Sequence, residues 1–131
     1  MNNRKKIEKD LDNLWRGAIV IRAGFKCERC GCSESKKNAH HIIPRTYKRL
    51  RWEPSNGICL CEHQCHRKAH DYPKEFEIWL EDKSPMLQES LQEIRARGIS
   101  PYSLSELESV GDNLRSIVSR LNEESVDDLP F

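Results

Sequence analysis

Six cysteines and five histidines are the residues of this chain whose types and spacing can do chemistry, and all of them lie between Cys27 and His70. That window is 44 residues of a 131-residue chain. Cys27-Glu28-Arg29-Cys30-Gly31 is a zinc-knuckle sequence: a tight turn aims two thiolates at one ion, and the glycine permits the reversal. Structural zinc is four-coordinate, so two more ligands are needed, and Cys61 and Cys65 form the natural second pair. Cys32, Cys59 and His63 compete for those places, with Cys59 on the same strand face as Cys61. Such a site supports folding and does no chemistry. A disulfide framework fits the even cysteine number but not a chain that shows no secretion signal.

The histidines are arranged for a different task. His66 and His70 are spaced i, i+4 on an expected helix, so both imidazoles project from one face and can grip one ion. His40 and His41 are adjacent on an expected strand and must point to opposite sides. One of them can therefore join a metal while its neighbour stays free as a base. A neutral imidazole with a pKa near ~6.5 is suited to taking a proton from water.

The elements that must position these groups are legible in outline. Residues 4–23 predict an amphipathic helix through Ile7, Leu11, Leu14, Trp15 and Ala18, with Gly24 as its stop. Phe25-Lys26 should be a short strand, and Ser33 to Asn38 a polar loop. Ala39 to Pro44 and Ile58 to Cys61 are β-prone runs that would pair as a hairpin around a long basic loop. Cys65 to His70 should be helical. The rear is helical throughout: Pro73 to Asp82, a helix opened by Ser84-Pro85 and closed by Gly98, and a helix behind the capping box Ser103 to Glu106. Leu107, Val110, Leu114, Ile117 and Leu121 along this last helix favour packing on the chain itself over a dimer seam. Asn122 to Phe131 should be a frayed acidic end.

Charge narrows the partners. The net charge of +1 hides 16 Lys and Arg against 7 Asp and Glu in residues 1–70, and 6 against 14 in residues 71–131. A basic front half suits nucleic acid, because neutralising phosphates releases counterions. Arg45, Lys48, Arg49 and Arg51, with Arg67 and Lys68, are the candidate phosphate grips. Tyr47 and Trp52 sit among them, either to stack on bases or, for Trp52, to be buried. No apolar run approaches the ~20 residues of a membrane-spanning helix. The opening MNNRKKIEKD carries no apolar segment, so a cytoplasmic location is expected.

Taken together, His40-His41-Ile42-Ile43-Pro44, then Asn56-Gly57-Ile58-Cys59-Leu60-Cys61, then Cys65-His66-Arg67-Lys68-Ala69-His70 resemble the HNH endonuclease motif. The preceding CERCG is similar to the zinc-stapled branch of that family, as in small bacteriophage HNH proteins. The resemblance covers residues 15–70, with weaker similarity over 72–80. It departs in one place: the family usually has CxxC directly before the third-motif histidine, whereas three residues separate Cys61 from Cys65, and His63 is one of them.

The resemblance implies an α+β, mostly helical fold with a ββα-metal core, a structural Zn²⁺ and one catalytic divalent ion: Mg²⁺, Mn²⁺, Ni²⁺ or Zn²⁺. The nuclease core and N-terminal helix would occupy residues 1–72, and a helical extension with an acidic tail residues 73–131. It further implies His41 as general base, His40, His66 and His70 as ligands of the catalytic ion, and Asn56 as a brace that orients His41. In a bacterial or phage-infected cell DNA would, by the charge division, be contacted mainly by residues 1–70; a homodimer or larger phage or bacterial complex through the 104–121 helix is the alternative to that helix packing on the chain itself. The competing reading is a zinc-containing DNA-binding or adaptor module that holds without cutting. The set His40, His41, Asn56 and His66 discriminates the two, since a binder has no use for it.

Overall fold

The computed structural model describes residues 3–97 and 101–127. Helix α1 spans Asn3–Arg22 and buries Leu11, Trp15, Ala18 and Ile19, which recur on one face at helical spacing. It closes with the paired hydrogen bonds of a Schellman motif, from Gly24 N–H to the Ile21 carbonyl at 2.9 Å and from Phe25 N–H to the Val20 carbonyl at 3.1 Å. Phe25 takes a φ of 60° in completing this cap. The strand expected at Phe25-Lys26 is therefore absent: these residues form a turn that ends the helix.

Strands β1 (Lys37–His41) and β2 (Gly57–Cys61) pair antiparallel, with His40 opposite Ile58 and His41 opposite Gly57. The first strand lies nearer the N-terminus than the sequence suggests. It takes in Lys37 and Asn38, expected in a loop, and stops before Ile42-Ile43-Pro44. Asn56 explains the early end. Its Oδ1 accepts the Ile43 N–H at 2.8 Å, and its Nδ2 donates to the carbonyls of Ile43 and Leu50, each at 2.9 Å. One ladder bond continues past His41, from Ile42 N–H to the Asn56 carbonyl at 3.0 Å, and beyond it the Asn56 amide, fully buried, binds the main chain of the loop instead.

Every residue of β2 is buried, so both faces of the hairpin are covered. Ile58 and Leu60 pack with Ala69, Phe76 and Leu80 on one side. On the other, Cys59 packs with Leu11, Trp15 and Ile19. At Gly57 helix α1 lies so close that a β-carbon would sit 2.5 Å from the Ile19 side chain and 2.7 Å from the Trp15 ring. The residue opposite His41 must be glycine for α1 to lie flush there.

Helices α2 (Cys65–Asp71) and α3 (Pro73–Lys83) follow, α3 with proline in its first turn. Helix α4 spans Leu87–Arg97, later than Ser84-Pro85 suggests. Ser84 closes α3 through its N–H to the Leu80 carbonyl, and Met86, at φ 72°, separates the two helices. Gly98, the expected stop, lies outside the described residues. Leu91 of α4 packs with Ile43 and Leu50 under the hairpin loop. Helix α5 spans Leu104–Asp127. Its capping box forms as expected, with Ser103 N–H donating to Glu106 Oε1 and Glu106 N–H to Ser103 Oγ. Leu107 and Leu114 are fully buried in the core they share with α1. The helix continues through Asn122 to Asp127, where a frayed end was expected, from a stretch already held by this packing; 128–131 lie outside the described residues. The class is α+β and mostly helical, and among the described residues no helix is long and apolar enough to cross a membrane.

Asp12 ties α1 to the hairpin loop. Its carboxylate receives Arg51 Nε at 3.0 Å, Arg51 Nη2 at 2.8 Å and Trp52 Nε1 at 2.8 Å, and Arg51 Nη1 also reaches Glu8 at 3.2 Å. Burial works against the Asp12 carboxylate, but the hydrogen bonds from Arg51 and Trp52 outweigh it and hold the carboxyl below the ordinary aspartate range. The folded-state value is the depressed one, so this contribution is fully present above the ordinary aspartate pKa. It is lost as pH falls through the folded value. Asp12→Asn should cost about 1–3 kcal/mol in urea unfolding at neutral pH, as expected when half-buried donors lose a charged acceptor. It should also flatten the acid limb of stability against pH.

Candidate metal centres

Cys27, Cys30, Cys61 and Cys65 bring their sulfurs within 4.8 Å of one another. Three features of the chain produce this. The knuckle turns on Gly31, at φ 80°, with Gly31 N–H on the Cys27 carbonyl at 2.9 Å. Strand β2 ends at Cys61, and α2 begins at Cys65. Cys30 N–H points at Cys27 Sγ at 3.4 Å and Cys65 N–H at Cys61 Sγ at 3.3 Å, the contacts a thiolate accepts. Metal–sulfur bonds of about 2.3 Å in a tetrahedron imply sulfur–sulfur edges of about 3.8 Å. Cys30 Sγ and Cys61 Sγ are 3.8 Å apart.

The electrostatics agree with that donor set. Burial raises the Cys27 thiol, yet backbone hydrogen bonds, that from Cys30 first, bring it down to about 6. For Cys30 a backbone bond from Cys32 favours the thiolate, but burial and the adjoining sulfurs push it up to about 11. Cys65 is raised by burial first and by the same neighbours next. One thiolate crowded by three sulfurs is stabilised by a cation, and four such sulfurs can hold an ion such as zinc. Cys32, Cys59 and His63 stand outside the cluster. Cys32 contacts Ser35 Oγ at 3.4 Å, Cys59 is a core thiol pushed up to about 11 by burial, and His63 is exposed.

A second cluster is built of imidazoles. His40, His66 and His70 place ring nitrogens within 4.8 Å of one another. Its rings meet edge to face, with His40 centroids 5.2 Å from His66 and 5.1 Å from His70. His66 Nε2 and His70 Nε2 are 3.2 Å apart, close to the ~3.3 Å edge expected for a tetrahedron with nitrogen ligands at about 2.0–2.1 Å. Burial, with the neighbouring imidazoles, lowers His40 to about 3, so it is the neutral, ligating form. Asn38, on the strand face of His40, has its amide Nδ2 2.9 Å from His66 Nδ1. An amide nitrogen donates, so Nδ1 accepts there; an ion on His66 Nε2 would require the Asn38 amide to turn its oxygen to Nδ1–H.

His41 points away from this cluster. Its ring stacks on Trp15 at 3.9 Å between centroids and 10° between planes. Its Nε2 lies 2.8 Å from the Arg51 carbonyl. A carbonyl only accepts, so Nε2 carries the hydrogen and Nδ1 keeps its lone pair. Burial lowers the pKa of His41 and outweighs that carbonyl's opposite pull, which favours a neutral imidazole with Nδ1 as its acceptor.

No family model, curated protein or solved structure matches this chain. The reading of its surface therefore rests on its own residues.

The basic residues divide. Arg51 is nearly covered and committed to Asp12 and Glu8. Arg49 pairs with Glu106 at 2.7 Å and lies over the Tyr102 ring. Both therefore serve the fold. Arg45 reaches Asp12 only at 3.5 Å and stays half-exposed, while Lys48, Arg67 and Lys68 are exposed. Trp52 is buried and donates to Asp12. A groove of about 650 Å³ is lined by His40, His66 and His70 together with Arg45, and His41 borders it from the next strand position. Trp15 and Asn38 are neighbours of these histidines that cysteine and histidine spacing does not reveal. The alternation of β1 was the available signal for Asn38, two residues before His40.

Cobalt in place of zinc should give the intense near-ultraviolet sulfur-to-metal absorption of a thiolate site. Cys32→Ser and Cys59→Ser should keep that band at full intensity, and Cys30→Ser should weaken it and release metal. A band lost in Cys59→Ser and kept in Cys30→Ser would reassign the ligands.

Proposed function

We propose that this protein is a metal-dependent DNA endonuclease of the HNH type, with a ββα-metal core, a structural zinc on Cys27, Cys30, Cys61 and Cys65, and a catalytic ion on His40, His66 and His70. The observation that carries the reading is the division of two consecutive histidines. His40 joins a three-imidazole cluster, while His41 is held on the opposite face with one nitrogen hydrogen-bonded and the other free. A binding module needs neither the cluster nor an oriented base.

His40, His66 and His70 would hold a divalent ion, which would supply Lewis-acid stabilisation of the charge developing in phosphodiester hydrolysis. The chain's own residues do the rest. His41 Nδ1 takes a proton from the attacking water, whose oxygen bonds to phosphorus as the bond to the 3′ oxygen breaks. The departing 3′ oxygen takes a proton from a solvent water, and the products are 5′-phosphate and 3′-hydroxyl ends. The Arg51 carbonyl accepts from Nε2–H and stabilises the imidazolium as it forms, and Trp15 fixes the plane of the ring. Asn56 acts at one remove: by bonding the Leu50 carbonyl it sets the backbone that presents the next carbonyl to His41. Arg45, Lys48, Arg67 and Lys68 remain as grips on flanking phosphates, and Arg49 and Arg51 do not.

Relaxation of supercoiled plasmid, with Mg²⁺, Mn²⁺, Ni²⁺ or Zn²⁺ restored after chelation, tests the reading. His41→Ala should slow nicking by about 10²–10⁴-fold, the usual contribution of a general base, while the protein stays folded and keeps its thiolate-bound metal. Equal nicking by both proteins would overturn the assignment of the base. DNA binding without cutting by the wild type would favour the zinc-containing binding module.

A further inference from the structure

We propose that Arg95 on α4, mounted on Tyr47, contacts the phosphate backbone of a nucleic-acid strand lying across the imidazole cluster, so that the helical extension completes the substrate groove. The identity of the ligand rests on the nuclease reading.

Charge balance along the sequence points away from this residue, because α4 lies in the acidic part of the chain. The fold reverses that. Leu91 packs with Ile43 and Leu50, which docks α4 beneath the hairpin loop and brings Arg95 to Tyr47. The Arg95 guanidinium lies 4.0 Å from the Tyr47 ring centroid, and its Nη2 donates to the Tyr47 hydroxyl at 2.6 Å. Its Nη1 donates to Gln92 Oε1 at 3.4 Å. Both partners are neutral, and no carboxylate pairs with Arg95 among the described residues.

The other arginines around the hairpin loop differ. Arg45, Arg49 and Arg51 each meet a carboxylate, and on α4 itself Arg97 pairs with Glu93. Arg95 thus carries uncompensated charge, and it lines the same groove as His40, His66 and His70. Glu77 lines that groove as well, but it makes no ion pair with Arg95. An aromatic platform restrains the planar fork before any ligand arrives, which lowers the ordering cost of binding. The fork's geometry matches two phosphate oxygens.

Binding of a fluorescent DNA duplex, measured by anisotropy over a salt series in a His41→Ala background, separates this inference from the reading beneath it. Arg95→Gln should weaken binding about five- to tenfold near ~0.1 M salt and reduce the slope of log affinity against log salt by about one. Arg95→Lys should retain the charge-dependent slope and lose part of the affinity. Arg97→Gln, on the same helix but already ion-paired, should change little. With His41 restored, Arg95→Gln should raise KM more than it lowers kcat. Equal losses in Arg95→Gln and Arg97→Gln would overturn the inference and leave the nuclease reading standing if plasmid is still nicked. Wild-type protein that neither binds nor cuts DNA would overturn both.

Discussion

Consecutive side chains on a β-strand must leave by opposite faces, and the site depends on where this chain places that step. His40 pairs with Ile58 and shares its side of the hairpin, so it faces α2 and α3. His41 pairs with Gly57 and faces α1. A hairpin covered on one face only would leave one of the two imidazoles in solvent. Here both faces are covered, so each histidine meets a defined wall: two further imidazoles on one side, an indole on the other. A register slip of a single residue would exchange the two environments.

That step is secured from a distance. Asn56 takes the last ladder bond beyond His41 on its carbonyl and closes three main-chain groups of the loop on its buried amide. Asp12 then anchors the far side of the loop through both nitrogens of the Arg51 fork and the indole of Trp52. The Arg51 residue serves twice, its guanidinium fixing the loop to α1 and its carbonyl holding His41. Side chains that never face the groove therefore determine which nitrogen of His41 carries a hydrogen.

The parts of this arrangement that were legible in the sequence are those with short, rigid spacings. Two cysteines three apart with glycine behind them, two histidines four apart on a helix, and two adjacent histidines on a strand each constrain geometry locally. The capping box at Ser103 and Glu106 is legible for the same reason. What was not legible depended on contacts between distant segments. Basic residues in a loop look alike until Asp12 and Glu106 claim two of them. Met86 gives no local sign of the left-handed backbone that delays α4, and Phe25 gives none that it belongs to a helix cap rather than a strand. Arg95 sits in an acidic region, and only the docking of α4 under the hairpin loop sets its role.

Helix α2 is a seven-residue element whose first two residues belong to different clusters, Cys65 to the sulfurs and His66 to the imidazoles. A helix this short has little means to rotate one end without the other. Whatever fixes the direction of its first turn therefore sets the ligand geometry on both sides together. Ions at the two positions would be thermodynamically linked, each tightening the other by the same factor. Loss of an ion at one position would then be felt in the ligand geometry of the other, so that trace-metal supply at one locus would tune occupancy at both.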